Sequence, residues 1–197
     1  MMHNELIQKI KNQELKGIEA HQEMSPVPRP FLSIPDTAFR ASVLILLFPE
    51  QENWHFPLIQ RNQYEGVHSG QISLPGGKEE MEDMDAAHTA LRETFEEIGI
   101  PTNQVQILRE LTSLYIEPSN FVVRPFVGII ESNPQFILDS KEVDKLHAIN
   151  LNQLTNLDNK SNQYIFRGRK VPAFNFGETL VWGATACILN EFRELVR

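Results

Sequence analysis

The longest apolar run in the chain, Ala41 to Phe48 (ASVLILLF), is broken only by Ser42 and is rich in branched side chains. A run of that length without alternation predicts a strand covered on both faces. The polar turn Pro49 to Asn53 joins it to a second run, Trp54 to Gln60, so the pair predicts a hairpin. Nearer the amino end, Leu6, Ile7, Ile10 and Leu15 recur at helical spacing and predict a short amphipathic helix over 4–16. The stretch Ser25-Pro26-Val27-Pro28-Arg29-Pro30 cannot continue it, because each proline fixes its own φ and restricts its neighbour. Residues 1–30 are thus expected to be a helix with a proline-rich connector, and 31–197 a single domain.

Past a glycine-spaced loop from Gly66 to Gly77, the period changes. Asp85 to Ile98 reads as one strong helix, closed by Gly99 where a left-handed residue commonly ends a helix. At 100° per residue, Ala87, Leu91, Thr94, Phe95 and Ile98 form the stripe expected to face the core. Glu93, Glu96 and Glu97 fall roughly opposite. Strand-like runs follow at Val105 to Leu108, Thr112 to Tyr115 and Phe121 to Ile130. Helices are predicted over 141–154 and 182–196. Strands mixed with a few helices, without internal repeats, give an α/β or α+β class.

Composition narrows the function classes. The 197 residues are 41% hydrophobic, which suits a globular core rather than disorder. Twenty-six acidic against 18 basic residues leave a net charge of −8, unfavourable for nucleic acid or an anionic membrane surface. An acidic protein that handles anions needs local cations, and a bound metal ion supplies them. The single cysteine, Cys187, has no internal disulfide partner and sits in an apolar context that reads as packing. No apolar stretch approaches the ~20 residues of a membrane span, and the start MMHNELIQKIKNQE lacks a signal-peptide core. A cytoplasmic protein is expected, and the sequon at Asn159 is then coincidental.

The glutamates of the 85–98 helix are the main candidates for chemistry. A surface acidic face is the bland alternative. Glu93 and Glu97, however, are like charges at i,i+4, which cost a few tenths of a kcal/mol each, and no lysine lies on that face. Arg92 can pair with Glu96 alone of the three at that spacing. Converging carboxylates suit Mg²⁺ or Mn²⁺, hard cations that prefer oxygen ligands. Just upstream, Pro75-Gly76-Gly77-Lys78 lets a ligand approach main-chain atoms closely.

Gly77-x5-Asp83-x8-Arg92-Glu93-Thr94-Phe95-Glu96-Glu97-Ile98-Gly99-Ile100 resembles the Nudix box, the signature of hydrolases acting on a nucleoside diphosphate linked to another group. The general pattern has glutamate at the position of Asp83 and one residue fewer before the arginine. Both departures, with Thr89-Ala90-Leu91-Arg92-Glu93, match the coenzyme A pyrophosphatase branch. That branch's upstream motif is similar to Leu58-Ile59-Gln60-Arg61 through His68-Ser69-Gly70-Gln71-Ile72-Ser73-Leu74-Pro75-Gly76-Gly77. Asn62, Gly66 and Leu74 depart from it, Gly66 standing where an arginine is usual. Val123-Arg124-Pro125-Phe126-Val127-Gly128 and Val181-Trp182-Gly183-Ala184-Thr185-Ala186 extend the likeness over residues 38–192.

The resemblance implies an α/β/α sandwich with a mixed central sheet and metal-dependent hydrolysis of the diphosphate of coenzyme A. The metal ligands implied are Glu93, Glu97 and Glu96 with the Gly76 carbonyl, and Arg92 would steady the glutamates. Arg61, His68, Gly70 and Gly77 are the expected substrate contacts. The general base is either a box glutamate or a remote carboxylate. Glu142, in Asp139-Ser140-Lys141-Glu142-Val143, is the remote candidate, and an exposed residue opening a helix is an equally open reading of it. His88 is expected on the surface. Tyr115, Phe121 and Phe126 could stack a base but read more readily as core. The partner is a small nucleotide diphosphate, and because members of this family are often dimers, the resemblance also allows a homodimer. ADP-ribose, a nucleotide sugar or a dinucleoside polyphosphate is the alternative substrate, and a nucleotide-sensing module without catalysis is the third reading.

Overall fold

The computed structural model describes residues 3–25, 34–62, 70–166 and 168–197. In chain order the elements are α1 (His3–Asn12), α2 (Ile18–Glu23), β1 (Phe39–Glu50), β2 (Asn53–Arg61), β3 (Ile72–Ser73), β4 (Gly76–Lys78), α3 (Ala86–Ile98), β5 (Gln106–Glu110), β6 (Leu114–Ile116) and β7 (Phe121–Ile129). They continue with β8 (Val143–Asn150), α4 (Leu151–Thr155), β9 (Lys160–Phe166), β10 (Arg169–Phe176), β11 (Thr179–Trp182) and α5 (Gly183–Val196).

The apolar run of β1 becomes the spine of the main sheet. It lies parallel to β7 along nine residue pairs, from Phe39 beside Phe121 to Leu47 beside Ile129. Its carboxyl end forms the expected hairpin with β2, and its amino end pairs antiparallel with β4. β3 and β8 add to β2, while β5 and β6 add to β7, giving one mixed sheet of eight strands. Because successive side chains on a strand point to opposite faces, β1 feeds two cores at once. Leu44, Leu46 and Phe48 join Ala86, Ala90 and Ile98 of α3, whereas Ile45 and Leu47 join Leu6, Ile10, Ile188 and Phe192 of α1 and α5. The result is the sandwich of helices about a mixed sheet. β9, β10 and β11 form a separate antiparallel sheet of three strands.

One predicted helix is corrected. A helix is predicted over 141–154, but residues 143–150 form β8, paired antiparallel with β2 from Gln60↔Lys145 to His55↔Asn150. The backbone hydrogen bonds offered by β2 outweigh a weak helical pattern, and only Leu151–Thr155 is helical. Nor was the three-stranded sheet foreseen. The helix predicted over 4–16 is α1, which stops at Asn12, and a second short helix that the pattern does not predict, α2, starts directly after Gly17, whose φ is 56°.

α1 and α2 pack on α5 through buried Leu6, Ile10, Ala20 and Met24. A buried carboxylate fixes this junction. Glu191 of α5 accepts hydrogen bonds from Gly17 N–H (3.0 Å), Thr112 N–H (3.1 Å) and Thr112 Oγ1 (2.6 Å), and lies 3.2 Å from His21 Nε2. Residues 26–30 of the expected connector lie outside the described residues. No helix among the described residues is long and apolar enough to cross a membrane.

Candidate active site

α3 starts where Asp85 caps it, accepting the His88 N–H at 2.8 Å. It stops at Gly99, which adopts the left-handed conformation at φ 75°. Between these points the helix sits differently from the expected wheel. Its buried residues are Ala86, Thr89, Ala90, Thr94, Glu97 and Ile98, a stripe turned by roughly 90° from the predicted one at 100° per residue. Phe95, expected in the core, is 51% exposed, and Glu97, expected on the open face, is 1% exposed. Apolarity alone misjudged the stripe because a carboxylate has been recruited into the helix–sheet seam.

Two things make Glu97 tolerable there. Its Oε2 accepts the Gly76 N–H at 2.8 Å, and its Oε1 lies 3.3 Å from Arg61 Nη2. The same Arg61 nitrogen donates to the Gly76 carbonyl at 3.2 Å. Burial still dominates and pushes the Glu97 carboxyl up to about 8, with Glu93 and Glu142 adding negative charge nearby. Glu93 lies one turn earlier, and burial raises it too, although the Arg92 guanidinium opposes the shift. A Cβ added at Gly77 would fall on the Glu93 carboxyl group, so glycine is what allows that side chain to lie against the strand. At Gly76 the φ is 146°, and a Cβ would collide with the Ser42 carbonyl oxygen and the Val43 backbone.

Arg92 organises the remaining charges. Its Nε and Nη2 fork onto Asp83 Oδ1 and Oδ2, each at 2.9 Å. Its Nη1 donates to Glu93 Oε1 and Glu96 Oε2, each at 3.0 Å, and Nη2 also reaches the Lys78 carbonyl at 3.1 Å. Asp83 is buried and accepts further bonds from Thr89 Oγ1 at 2.9 Å and Glu80 N–H at 3.0 Å, with His88 Nδ1 at 3.0 Å. The Arg92 fork, helped by these bonds, holds its carboxyl far below the ordinary carboxylate range. His88 is therefore a ligand of Asp83 rather than a mere surface residue. Its signal in the sequence was its place one helical turn before Arg92 and next to Thr89, the other two residues whose side chains bind Asp83.

The candidates divide clearly by position. Glu93, Glu97, Arg61, Gly76, Gly77 and Arg92 converge where β2, β4 and α3 meet. Glu96 is held at the rim, its side chain 52% exposed, by Arg92. Among the described residues no three His, Cys, Asp or Glu side chains stand arranged as a ready metal cage. Glu142 does not open a helix; it is exposed in the turn entering β8. That turn is tied over the end of α3, since Asp139 N–H bonds the Glu97 carbonyl at 3.0 Å and Asn62 Nδ2 bonds the Ser140 carbonyl at 2.8 Å. Glu142 is thereby brought close enough for its charge to act on both Glu93 and Glu97. Gly70 has a φ of 66° and its N–H bonds the Asn62 carbonyl at 3.3 Å. His68 and Gly66 lie outside the described residues. Phe126 is core, Phe121 is half-buried, and Tyr115 bonds Asn120 Oδ1 at 3.0 Å.

The donors lining the seam are carboxylates and a main-chain carbonyl, the oxygen set that suits a hard divalent cation. Two of those carboxylates are desolvated and hold protons more tightly than usual, as expected where a countercharge is called for.

The family model described as the NUDIX domain matches residues 38–167. The human protein named mitochondrial coenzyme A diphosphatase NUDT8 is 34% identical over 139 residues, covering 68% of this chain and 58% of that protein, so the match spans under two thirds of the human relative. A Yersinia pestis protein, described as the uncharacterized Nudix hydrolase NudL, is 32% identical over 160 residues, covering 80% of this chain and 79% of its own. Among solved structures, the Mycobacterium smegmatis Nudix hydrolase RenU superposes with a TM-score of 0.54 at 14% identity, over 80% of this chain and 85% of that one. The MutT protein of Methanosarcina mazei gives 0.52 at 17% identity, over 79% and 92%. At such identities the structures speak for the fold alone.

Proposed function

This chain belongs to the Nudix hydrolase family, and from that membership we propose that it cleaves the diphosphate of coenzyme A or its acyl derivatives, releasing 3′,5′-ADP and 4′-phosphopantetheine. The observation that carries the proposal is the pair of desolvated glutamates, Glu93 and Glu97, seated against the diglycine of β4. Nudix hydrolases use divalent metal ions, and the oxygen donors here fit one. Glu93, Glu97 and the Gly76 carbonyl would hold it, with Glu96 joining from the rim. A bound cation neutralises diphosphate charge and acidifies the attacking water.

The chain's own residues do the rest. Asp83 locks the Arg92 fork, and Arg92 in turn holds Glu93 and Glu96 at fixed distances. Arg61, part-exposed at the end of β2, presents its guanidinium toward the phosphates, where a planar fork can bind two oxygens. Glu142 faces the seam from the 139–142 turn and takes the proton of the attacking water. Water adds to one phosphorus, the bridging P–O bond breaks, and the leaving phosphate departs as the second product.

The identity to the human coenzyme A diphosphatase and the quoted motifs support this substrate. A second reading, with ADP-ribose or a nucleotide sugar as substrate, draws on Gly66, which supplies no guanidinium where the branch usually has one. A panel of these compounds with Mg²⁺ and Mn²⁺ separates the two, with products identified by mass and the attacked phosphorus located in ¹⁸O water. Equal or faster turnover of ADP-ribose than of coenzyme A overturns the first reading. A nucleotide-sensing module without catalysis would give no products from any member of the panel.

A further inference from the structure

Gly77 and Lys78 are neighbours on β4, so their side-chain directions are opposite. The Gly77 position faces Glu93 and α3; Lys78 therefore points to the other face of the sheet, alongside Ala41, its partner on β1. There its ammonium group lies 4.8 Å from the centre of the Phe39 ring. Phe39 is 49% exposed and sits 5.4 Å, ring centre to ring centre, from Phe121, its parallel partner on β7. Beyond its contacts with Phe121 and Lys78, Phe39 thus leaves about half of its surface open to a ligand. The pair is also held in place: the Phe39 N–H bonds the Asn120 carbonyl at 2.8 Å, and the Asn120 side chain bonds Thr37 and Tyr115.

We infer that Phe39, Phe121 and Lys78 form a subsite for the adenine and 3′-phosphate of the substrate, built on the face of β4 opposite the scissile diphosphate. β4 pairs with β1 alone among the described strands, so a ligand held on the α3 side of β4 reaches the shelf by passing round the strand's other edge. Adenine offers the flat π surface that stacks on phenylalanine, which the aliphatic pantetheine arm lacks. The stacked base displaces the ammonium from the ring, and the 3′-phosphate receives it as a charge partner. This inference rests on the proposed substrate, and it adds a source of discrimination between coenzyme A and dephospho-coenzyme A, which lacks the 3′-phosphate.

Steady-state kinetics on both compounds, with calorimetric titration of 3′,5′-ADP, test it. Phe39→Ala should raise KM for both substrates about tenfold, on the scale of one lost base stack, and weaken 3′,5′-ADP binding equally. Phe39→Tyr should restore both, and Phe39→Leu, which keeps bulk without a ring, should not. Lys78→Met should raise KM for coenzyme A about tenfold and leave dephospho-coenzyme A nearly unchanged. Unaltered KM and 3′,5′-ADP affinity in Phe39→Ala, or equal losses on both substrates in Lys78→Met, overturn the subsite. If coenzyme A is not hydrolysed while 3′,5′-ADP binds and loses affinity in Phe39→Ala, the shelf stands and the substrate reading falls. A shelf that instead docks a protein segment leaves every nucleotide parameter unaltered, which overturns the inference.

Discussion

Two adjacent glycines should fail in different ways when each is given one methyl group. At Gly76 the backbone has φ 146° and the new Cβ meets main-chain atoms of Ser42 and Val43, which cannot move without breaking the β1–β4 pairing. Backbone strain of this kind costs about 1–3 kcal/mol before any clash is counted, so Gly76→Ala should lower the melting temperature by several degrees at least. Gly77 is not in a left-handed conformation, and the three atoms nearest its new Cβ belong to the Glu93 carboxyl, at the end of a flexible side chain that Arg92 anchors by one hydrogen bond. Gly77→Ala should therefore keep most of its stability, losing roughly 1 kcal/mol or less, while Glu93 swings away from the seam. Loss of a positioned carboxylate should reduce kcat/KM at least about a hundredfold, or roughly 2.7 kcal/mol of transition-state stabilisation at 1.36 kcal/mol per tenfold. Scanning calorimetry and turnover of coenzyme A under saturating Mg²⁺ read the two quantities separately. Near-normal turnover in Gly77→Ala would show that Glu93 is not needed where the structure puts it.

Three further outcomes follow from the buried charges. In EDTA, Glu97 binds a proton more tightly folded, at about 8, than at its ordinary 4.5, so between those values the folded state carries the extra proton and stability falls as pH rises, by up to about 1.4 kcal/mol per unit. Urea denaturation at pH 5 and 8 measures this, and Mg²⁺ should stabilise more at the higher pH; stability that instead rises over this range, with no steeper loss in wild type than in Glu97→Gln, refutes it. Glu97→Gln removes the charge while retaining the shape, and should abolish turnover with the fold intact, as circular dichroism would show; an undiminished rate removes Glu97 from the site. Glu191→Ala strips a buried hub that bonds Gly17, Thr112 and His21, and should cost about 3 kcal/mol or more by chemical denaturation. A loss below 1 kcal/mol would mean that α1 and α2 are held by apolar packing alone.

The sequence made some features easy to read and hid others for identifiable reasons. β1, its hairpin with β2, and the start and stop of α3 were legible because each is a local signal: an apolar run, a cap, a glycine. The 143–150 strand was not, since its hydrogen-bond partner is β2, some ninety residues away, and nothing local records it. The α3 wheel shows the limit most clearly. Hydrophobicity placed Phe95 inward and Glu97 outward, yet the helix is oriented by what the β4 backbone requires. The Gly76 N–H lies beside the seam and is satisfied by Glu97 at 2.8 Å, and the Glu93 carboxyl lies over Gly77. Turning α3 to bury Phe95 would leave that amide without its carboxylate and move Glu97 away from Arg61. A buried polar donor left unpaired costs about 1–3 kcal/mol, comparable with what a buried phenylalanine gains. The packing contribution is thus closely offset, and the position of the acidic residues sets the helix. In this seam the departure from simple amphipathic pattern is itself the mark of the site: a glutamate where an apolar residue would pack, opposite two glycines where any side chain would collide.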